Sequence, residues 1–294
     1  MSVEIHFSLK KNYNSAGKDS PVQDRNGLYL QGTNGSTAVL IHGLTGTPLE
    51  MSYLAGFLHR KGYSVVCPRL ANHGKPLEVL KHTSWQECYE SVKKEIVPLF
   101  KNNSPVFVSG LSMGALLALL LAYEFSDRIT GVSCLSPTLF YDGWNMPWSR
   151  HLLPLTYFTP LKQILYFKEE PPYGIKNEAI RAYIHKYYSK AGIHDLQNAE
   201  QYGYPYFPLT LFYQLYLLRM TIIPKLPKIT VPAQFIQAEE DDMTSVRNSR
   251  FIYERIGATV KEMVLLKNSY HVITADQERD KVAQSLEKFF TRLC

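Results

Sequence analysis

A serine between glycines, a histidine near the end of the chain and a run of carboxylates between them are the residue types that nucleophilic acyl chemistry needs. Gly110-Leu111-Ser112-Met113-Gly114 forms a G-x-S-x-G pattern, the nucleophile elbow in which a sharp strand-to-helix turn holds a serine Oγ at the carboxyl edge of a sheet. A serine hydroxyl attacks poorly until a histidine takes its proton and a carboxylate holds that histidine in the right tautomer. Nine histidines occur, at 6, 42, 59, 73, 82, 151, 185, 194 and 271. Only His271 follows the last apolar run, Val260–Leu266, as the order serine, acid, histidine requires. Glu239, Glu240, Asp241 and Asp242 follow the preceding run and compete for the role of acid. Such a cluster would equally suit the first turn of a helix, through its dipole.

The flanking residues make the short pattern more specific. Val106-Phe107-Val108 is a β-rich run before the serine, and ALLALLLAYEF after Gly114 is apolar on every side, as a buried helix would be. As Ser112 attacks, the developing oxyanion needs preorganised donors, each worth about 3 kcal/mol in the transition state. The residue after the nucleophile, Met113, supplies one through its main-chain N–H.

These groups must be carried by a larger frame, and the sequence alternates strand and helix. The apolar β-branched run Thr37–His42 is followed by a helix from Pro48 to Lys61 with a left-handed cap expected at Gly62. Then come a strand at Tyr63–Cys67, an amphipathic helix at Ser84–Phe100, the elbow, and a strand at Ile129–Leu135. The alternation resumes with Pro232–Ala238 as strand, Ser245–Ile256 as helix, Val260–Leu266 as strand and Asp276–Leu293 as helix. It predicts an α/β fold, a mostly parallel central sheet with helices on both faces. Residues 1–36 are polar, with short strands expected at Val3–Leu9 and Leu28–Leu30 on one sheet edge.

The predicted organisation is a core of residues 1–136 and 231–294 interrupted by an insertion, 137–230. The insertion holds 12 of the 20 tyrosines together with Trp144 and Trp148, and short helices are expected at Pro160–Phe167, Lys176–Ser189 and Pro208–Ile223. It reads as a helical lid over the active site, the alternative being a segment that only adds stability. Tyrosine joins apolar area to a polar tip and suits either role. The tryptophans with Arg150 and Lys162 would suit peripheral membrane contact through the lid, or packing on a cleft.

Composition narrows the classes. A formal charge of +6, 45% hydrophobic and 20% charged residues are those of an ordinary globular chain. No apolar run approaches the roughly 20 residues of a membrane span. With no apolar leader at the N-terminus, a cytoplasmic location is expected. Cys67, Cys88, Cys134 and Cys294 lack metal spacing and are expected as reduced thiols. No H-E-x-x-H, no C-x-x-C and no Lys-Ser/Thr after the glycine-rich loop at 43–46 occur, so no metal and no cofactor are expected. No motif or arginine-rich run points to nucleic acid.

Five blocks, IHGLTGTP at 41–48, KGYSVVCPRLANHG at 61–74, GLSMG at 110–114, QAEEDDM at 237–243 and HVITADQERD at 271–280, resemble the carboxylesterase and monoacylglycerol-lipase branch of the α/β-hydrolases. The resemblance implies the α/β-hydrolase fold. It also implies that the acid is Asp241, the aspartate followed by an acidic residue and Met, and that the second oxyanion donor is the N–H of Leu44. His42 and His73 then shape their loops rather than carry protons. The implied reaction is cleavage of a small-molecule carboxylic ester through an acyl-serine, with a monoacylglycerol or lysolipid suggested by the aromatic insertion. The rival readings are a thioesterase or other acyl-transfer enzyme with the same triad, and an inactive ligand-binding member of the fold. Two departures bear on substrate: the segment between serine and acid is long, and Arg69-Leu70-Ala71-Asn72-His73-Gly74 lacks the glycine that commonly precedes His-Gly.

Overall fold

The computed structural model describes residues 27–189 and 203–294. Seven strands make one sheet: β1 (Gly27–Leu30), β2 (Thr37–Ile41), β3 (Ser64–Pro68), β4 (Val106–Leu111), β5 (Gly131–Leu135), β8 (Ala233–Ala238) and β9 (Lys261–Leu266). Their spatial order is β1-β3-β2-β4-β5-β8-β9, all neighbours parallel except β1, which runs antiparallel to β3. The expected strand at Leu28–Leu30 is thus an edge strand, while Val3–Leu9 lies outside the described residues. The helices are α1 (Ser52–Arg60), α2 (Leu77–Leu80), α3 (Trp85–Ile96), α4 (Met113–Glu124), α5 (Leu153–Thr156), α6 (Glu178–Tyr188), α7 (Leu209–Ile222), α8 (Arg247–Arg255) and α9 (Arg279–Thr291).

A parallel strand covered on both faces needs apolar side chains in both directions, and β2 supplies them. Val39 and Ile41 join the core beneath α3, α4 and α7, whereas Ala38 and Leu40 join the opposite core, beneath α1 and α9. Helix α4 is buried from Met113 to Ala122 because it lies between the sheet and α7. That position explains why its sequence has no polar face. Local signals set the ends of other helices. Ser84 and Glu87 cap α3 reciprocally, Ser84 N donating to Glu87 Oε2 at 2.8 Å and Glu87 N to Ser84 Oγ at 3.2 Å. Gly62, at φ +90°, takes the left-handed turn after α1.

Among the described residues between β5 and β8, one expected helix is replaced and an unexpected helical stretch appears at Trp148–Thr156. Helices α6 and α7 fall where expected, but Pro160–Phe167 gives only a 3-10 turn at Pro160–Gln163, after which Tyr166–Lys168 becomes a strand, β6. It pairs antiparallel with β7 (Tyr206–Pro208). Three-residue strands are too short to show a sequence period, and their pairing partner is distant in the chain. Among the described residues no helix is long and apolar enough to cross a membrane.

Candidate active site

Ser112 occupies the turn between β4 and α4 with φ 58° and ψ −116°. A non-glycine residue there stores on the order of 1–3 kcal/mol, which the surrounding packing must hold. Both flanking glycines are required by close approach. A Cβ on Gly110 would stand 2.1 Å from the Gly114 carbonyl oxygen, and one on Gly114 would stand 2.4 Å from the Ile41 carbonyl oxygen. Ser112 N donates to Leu135 O at 2.8 Å, fixing the turn to β5. The hydroxyl lies 2.8 Å from Thr138 Oγ1, a partner on the loop after β5 that no sequence motif marks.

The loop after β2 is built from buried polar contacts. Leu70 N donates to His42 Nε2 at 3.1 Å, so the proton is on Nδ1, which donates to Gly43 O at 2.9 Å. Burial, with His73 nearby, holds His42 well below the usual histidine range. Both contacts fit a neutral ring that shapes the loop. Gly43 N donates to Glu50 Oε2 at 3.0 Å. Gly46 leaves room for that carboxyl, since its Cβ would stand 2.2 Å from Glu50 Oε2. Burial pushes Glu50 up to about 7, opposed by the Gly43 N–H and by His271. The N–H groups of Leu44 and Met113 have no acceptor among the described residues, as donors kept for a ligand oxygen would not.

At the far side of the sheet, β8 and β9 deliver the remaining pair. His271 Nδ1 lies 2.9 Å from Asp241 Oδ2 and 3.1 Å from Oδ1. Asp241 also accepts from Thr244 N at 2.7 Å, Gln237 Nε2 at 2.7 Å and Met243 N at 2.9 Å, which orients its carboxylate. Burial works against the His271 imidazolium, yet Asp241, with Asp242 and Glu50 adding to it, raises its pKa above the ordinary value. Nδ1 is committed to Asp241, and Nε2 is left for a proton from the cavity.

Asp242 has a different task. Its Oδ1 accepts from His271 N at 3.2 Å and its Oδ2 from Gly174 N at 3.1 Å. Burial pushes Asp242 up to about 6, Asp241 adding to the effect and His271 opposing it. Asp276 ties the same segments, accepting from Tyr270 N, Lys176 N and Asn177 N at 2.8, 2.8 and 2.9 Å. Residues 174–177 are thereby fastened to the loop that carries His271.

Ser112 and His271 line one cavity of about 160 Å³ with Gly43, Leu44, Glu50 and Glu169, walled by Tyr173, Tyr183, Tyr187 and Tyr188. Tyrosines of the segment between β5 and β8 therefore line the same cavity as the serine. A neighbouring cavity of about 340 Å³ shares Tyr141, Glu169, Tyr173, Phe207 and Met243 with it. Glu169 is raised to about 8 by burial and by Asp242 and Glu50, with His271 opposing. Glu50 and Glu169 were not distinguishable in the sequence from solvated carboxylates.

The family model described as serine aminopeptidase, S33, matches residues 33–278. This chain belongs to that α/β-hydrolase family. It is 29% identical over 262 residues to a thermostable monoacylglycerol lipase of Bacillus sp. (strain H-257), covering 88% of this chain and 92% of the lipase. It is 24% identical over 257 residues to a carboxylesterase of Bacillus subtilis (strain 168), covering 87% and 92%. Among solved structures, a metagenome-derived lipolytic enzyme described with LipS and LipT superposes with a TM-score of 0.73 at 26% identity, covering 90% of this chain and 96% of that one. The monoacylglycerol lipase of Paleococcus ferrophilus shares the fold, with a TM-score of 0.71 at 19% identity and 90% and 97% coverage.

Proposed function

We propose that this chain hydrolyses carboxylic esters of lipophilic acyl chains, of the monoacylglycerol or lysolipid type, through an acyl-serine intermediate. The observation that carries the reading is the 2.9 Å contact of His271 Nδ1 with Asp241 at the cavity that also holds Ser112. The hydroxyl turns from Thr138 towards His271, and its oxygen attacks the ester carbonyl carbon as Nε2 takes the proton. The carbonyl oxygen, now an anion, is held by the N–H groups of Leu44 and Met113. Collapse of the tetrahedral intermediate expels the alcohol, which receives the proton from Nε2. A water, deprotonated by the same nitrogen, then releases the carboxylic acid and restores Ser112. Asp241 keeps the ring oriented and stabilises the imidazolium in both half-reactions.

The acyl chain is assigned to the apolar and tyrosine-lined space beneath the segment 137–230, which acts as a lid between core parts 1–136 and 231–294. The named lipase and carboxylesterase relatives, aligned over most of the chain, support an ester rather than an amide. A cytoplasmic setting belongs to the same reading, supported by four free thiols of which Cys67, Cys88 and Cys134 are buried. The test is turnover of p-nitrophenyl esters from acetate to laurate, and of monoacylglycerol, beside acyl thioesters and aminoacyl amides. Octanoate and longer esters should lead, and Ser112→Ala should abolish all turnover. Preference for acetate would refute the lipophilic pocket, and preference for the thioester or amide would refute the ester.

A further inference from the structure

Two carboxyl groups in the Ser112 cavity take no part in the triad. Glu50 stands on the 3-10 turn Pro48–Met51 before α1, and Glu169 directly follows β6. Both line the cavity with Ser112 and His271, and among the described residues no Lys or Arg lines it. Glu50 accepts from Gly43 N at 3.0 Å. Glu169 N donates to Pro205 O at 2.8 Å, but the Glu169 carboxyl has no partner among the described residues. A carboxylate taken out of water without a cation beside it is unfavourable. Burial accordingly raises both groups, Glu50 to about 7 and Glu169 to about 8.

The groups that face them do not supply the missing charge. Asp242, on the loop after β8, and Glu50 push Glu169 further up, and His271, on the loop after β9, opposes them. For Glu50 the opposing groups are the Gly43 N–H and His271. Burial, with Glu169 and Glu50 adding to it, holds the Tyr188 hydroxyl of α6 well above the ordinary tyrosine range, so it stays neutral. Exposed Lys168 and Glu170 line the neighbouring cavity as a pair of opposite sign. His271 works as a base only when neutral, and in that state no described side chain presents a positive charge to Ser112. The rest of the wall is apolar or aromatic. Ile180, Tyr183, Ile184 and Tyr187 recur at helical spacing along α6 and all line the cavity. Tyr183 commits its hydroxyl to Tyr187 at 3.1 Å, and Tyr173 pairs with His185 Nδ1 at 2.7 Å. Tyrosine rings add attraction for a cation.

We propose that Glu50 and Glu169 make this cavity select substrates by charge. Esters with a neutral or ammonium-bearing alcohol enter, and those carrying a phosphate, sulfonate or carboxylate beside the ester are turned away. Charge selection rests on the ester-hydrolase reading and narrows it, away from phosphate-bearing lysolipids and towards uncharged glycerides and ammonium esters. The carboxylic acid product ionises beside the same two side chains, and their repulsion favours its release.

Octyltrimethylammonium and octanesulfonate, of equal chain length and permanent opposite charge, are compared below their micelle-forming concentrations for protection of Ser112 from a fluorophosphonate. At pH 9, where both glutamates are ionised, the cation should half-protect at a concentration at least about tenfold lower. The gap should narrow at pH 6.5, below both raised values and with His271 protonated. It should also narrow at pH 9 in Glu50→Gln combined with Glu169→Gln, which keeps the size of both side chains without their charge. Glu90→Gln, on the exposed side of α3, should keep the wild-type gap. Each gap is a ratio within one protein, so a smaller folded fraction does not alter it. In turnover, butanoylcholine should exceed 3-sulfopropyl butanoate in kcat/KM by at least about tenfold. Equal protection by the two ligands, or a gap that the double substitution leaves intact, would overturn charge selection. Turnover of neither ester with the protection gap in place would count against the ester reading and for charge selection.

Discussion

Asp242 grips His271 by the main chain, its Oδ1 3.2 Å from the histidine N, while its other oxygen holds Gly174 of the inserted segment. The neighbouring Asp241 grips the same histidine by the ring, 2.9 Å from Nδ1. Two adjacent carboxylates therefore divide the work, one orienting the imidazole and the other joining the loop that carries it to Gly174, between β5 and β8.

That division predicts unequal losses. Asp241→Asn should lower kcat by about 10³–10⁴, the scale of a wrong histidine tautomer. Asp242→Asn should cost about tenfold, since Asn keeps one acceptor oxygen for the two N–H groups. Ester turnover by the two purified variants decides, and a larger loss in Asp242→Asn would reverse the assignment.

Activity should depend on pH through His271. The base must be neutral to accept the serine proton, and Asp241 raises its pKa above the ordinary 6.5 despite burial. The logarithm of kcat/KM should therefore rise with pH through a midpoint above 6.5. A midpoint below 6.5 would mean that burial outweighs the aspartate.

Glu50 should tie stability to pH in the opposite sense to most carboxylates. Its folded pKa is raised from 4.5 to about 7 by burial, so between those values the folded chain binds more protons than the unfolded one. Stability is full below 4.5 and is lost as pH rises towards 7, by up to about 3 kcal/mol. Glu50→Gln keeps an oxygen for Gly43 N–H and cannot ionise. The variant should melt higher than wild type at pH 8 and about equally at pH 4.5, by differential scanning fluorimetry. An equal difference at both pH values would contradict the assignment.

The elbow should tolerate no side chain at Gly114, where a Cβ would stand 2.4 Å from a backbone oxygen of β2. Gly114→Ala should destabilise by about 3 kcal/mol or more, because backbone and not a flexible side chain must move. Urea unfolding measures this, and a loss below about 1 kcal/mol would show that the β2–α4 approach is looser than described.

Much of this arrangement was legible because the chain states it locally. The β4–Ser112–α4 unit combines an apolar run, two glycines and an all-apolar helix, and each feature has a separate physical cause. His271 followed from chain order alone, whereas Asp241 emerged from four adjacent acids only through resemblance. What could not be read depends on contacts distant in sequence. Strands β6 and β7 are three residues each and pair across a long stretch of chain. Thr138, Glu50 and Glu169 acquire their places from folding, and a carboxylate that will be enclosed looks in sequence like one that will be solvated. The Asp242 contact with Gly174 is likewise a property of the inserted segment's path.

The central claim is that Ser112, activated by His271, is the nucleophile. Intact-mass and peptide analysis after treatment with a fluorophosphonate tests it most directly. The account predicts one phosphonate per chain, on Ser112, absent from Ser112→Ala and formed far more slowly in His271→Ala. Labelling of another residue, or equal labelling of Ser112→Ala, would contradict it.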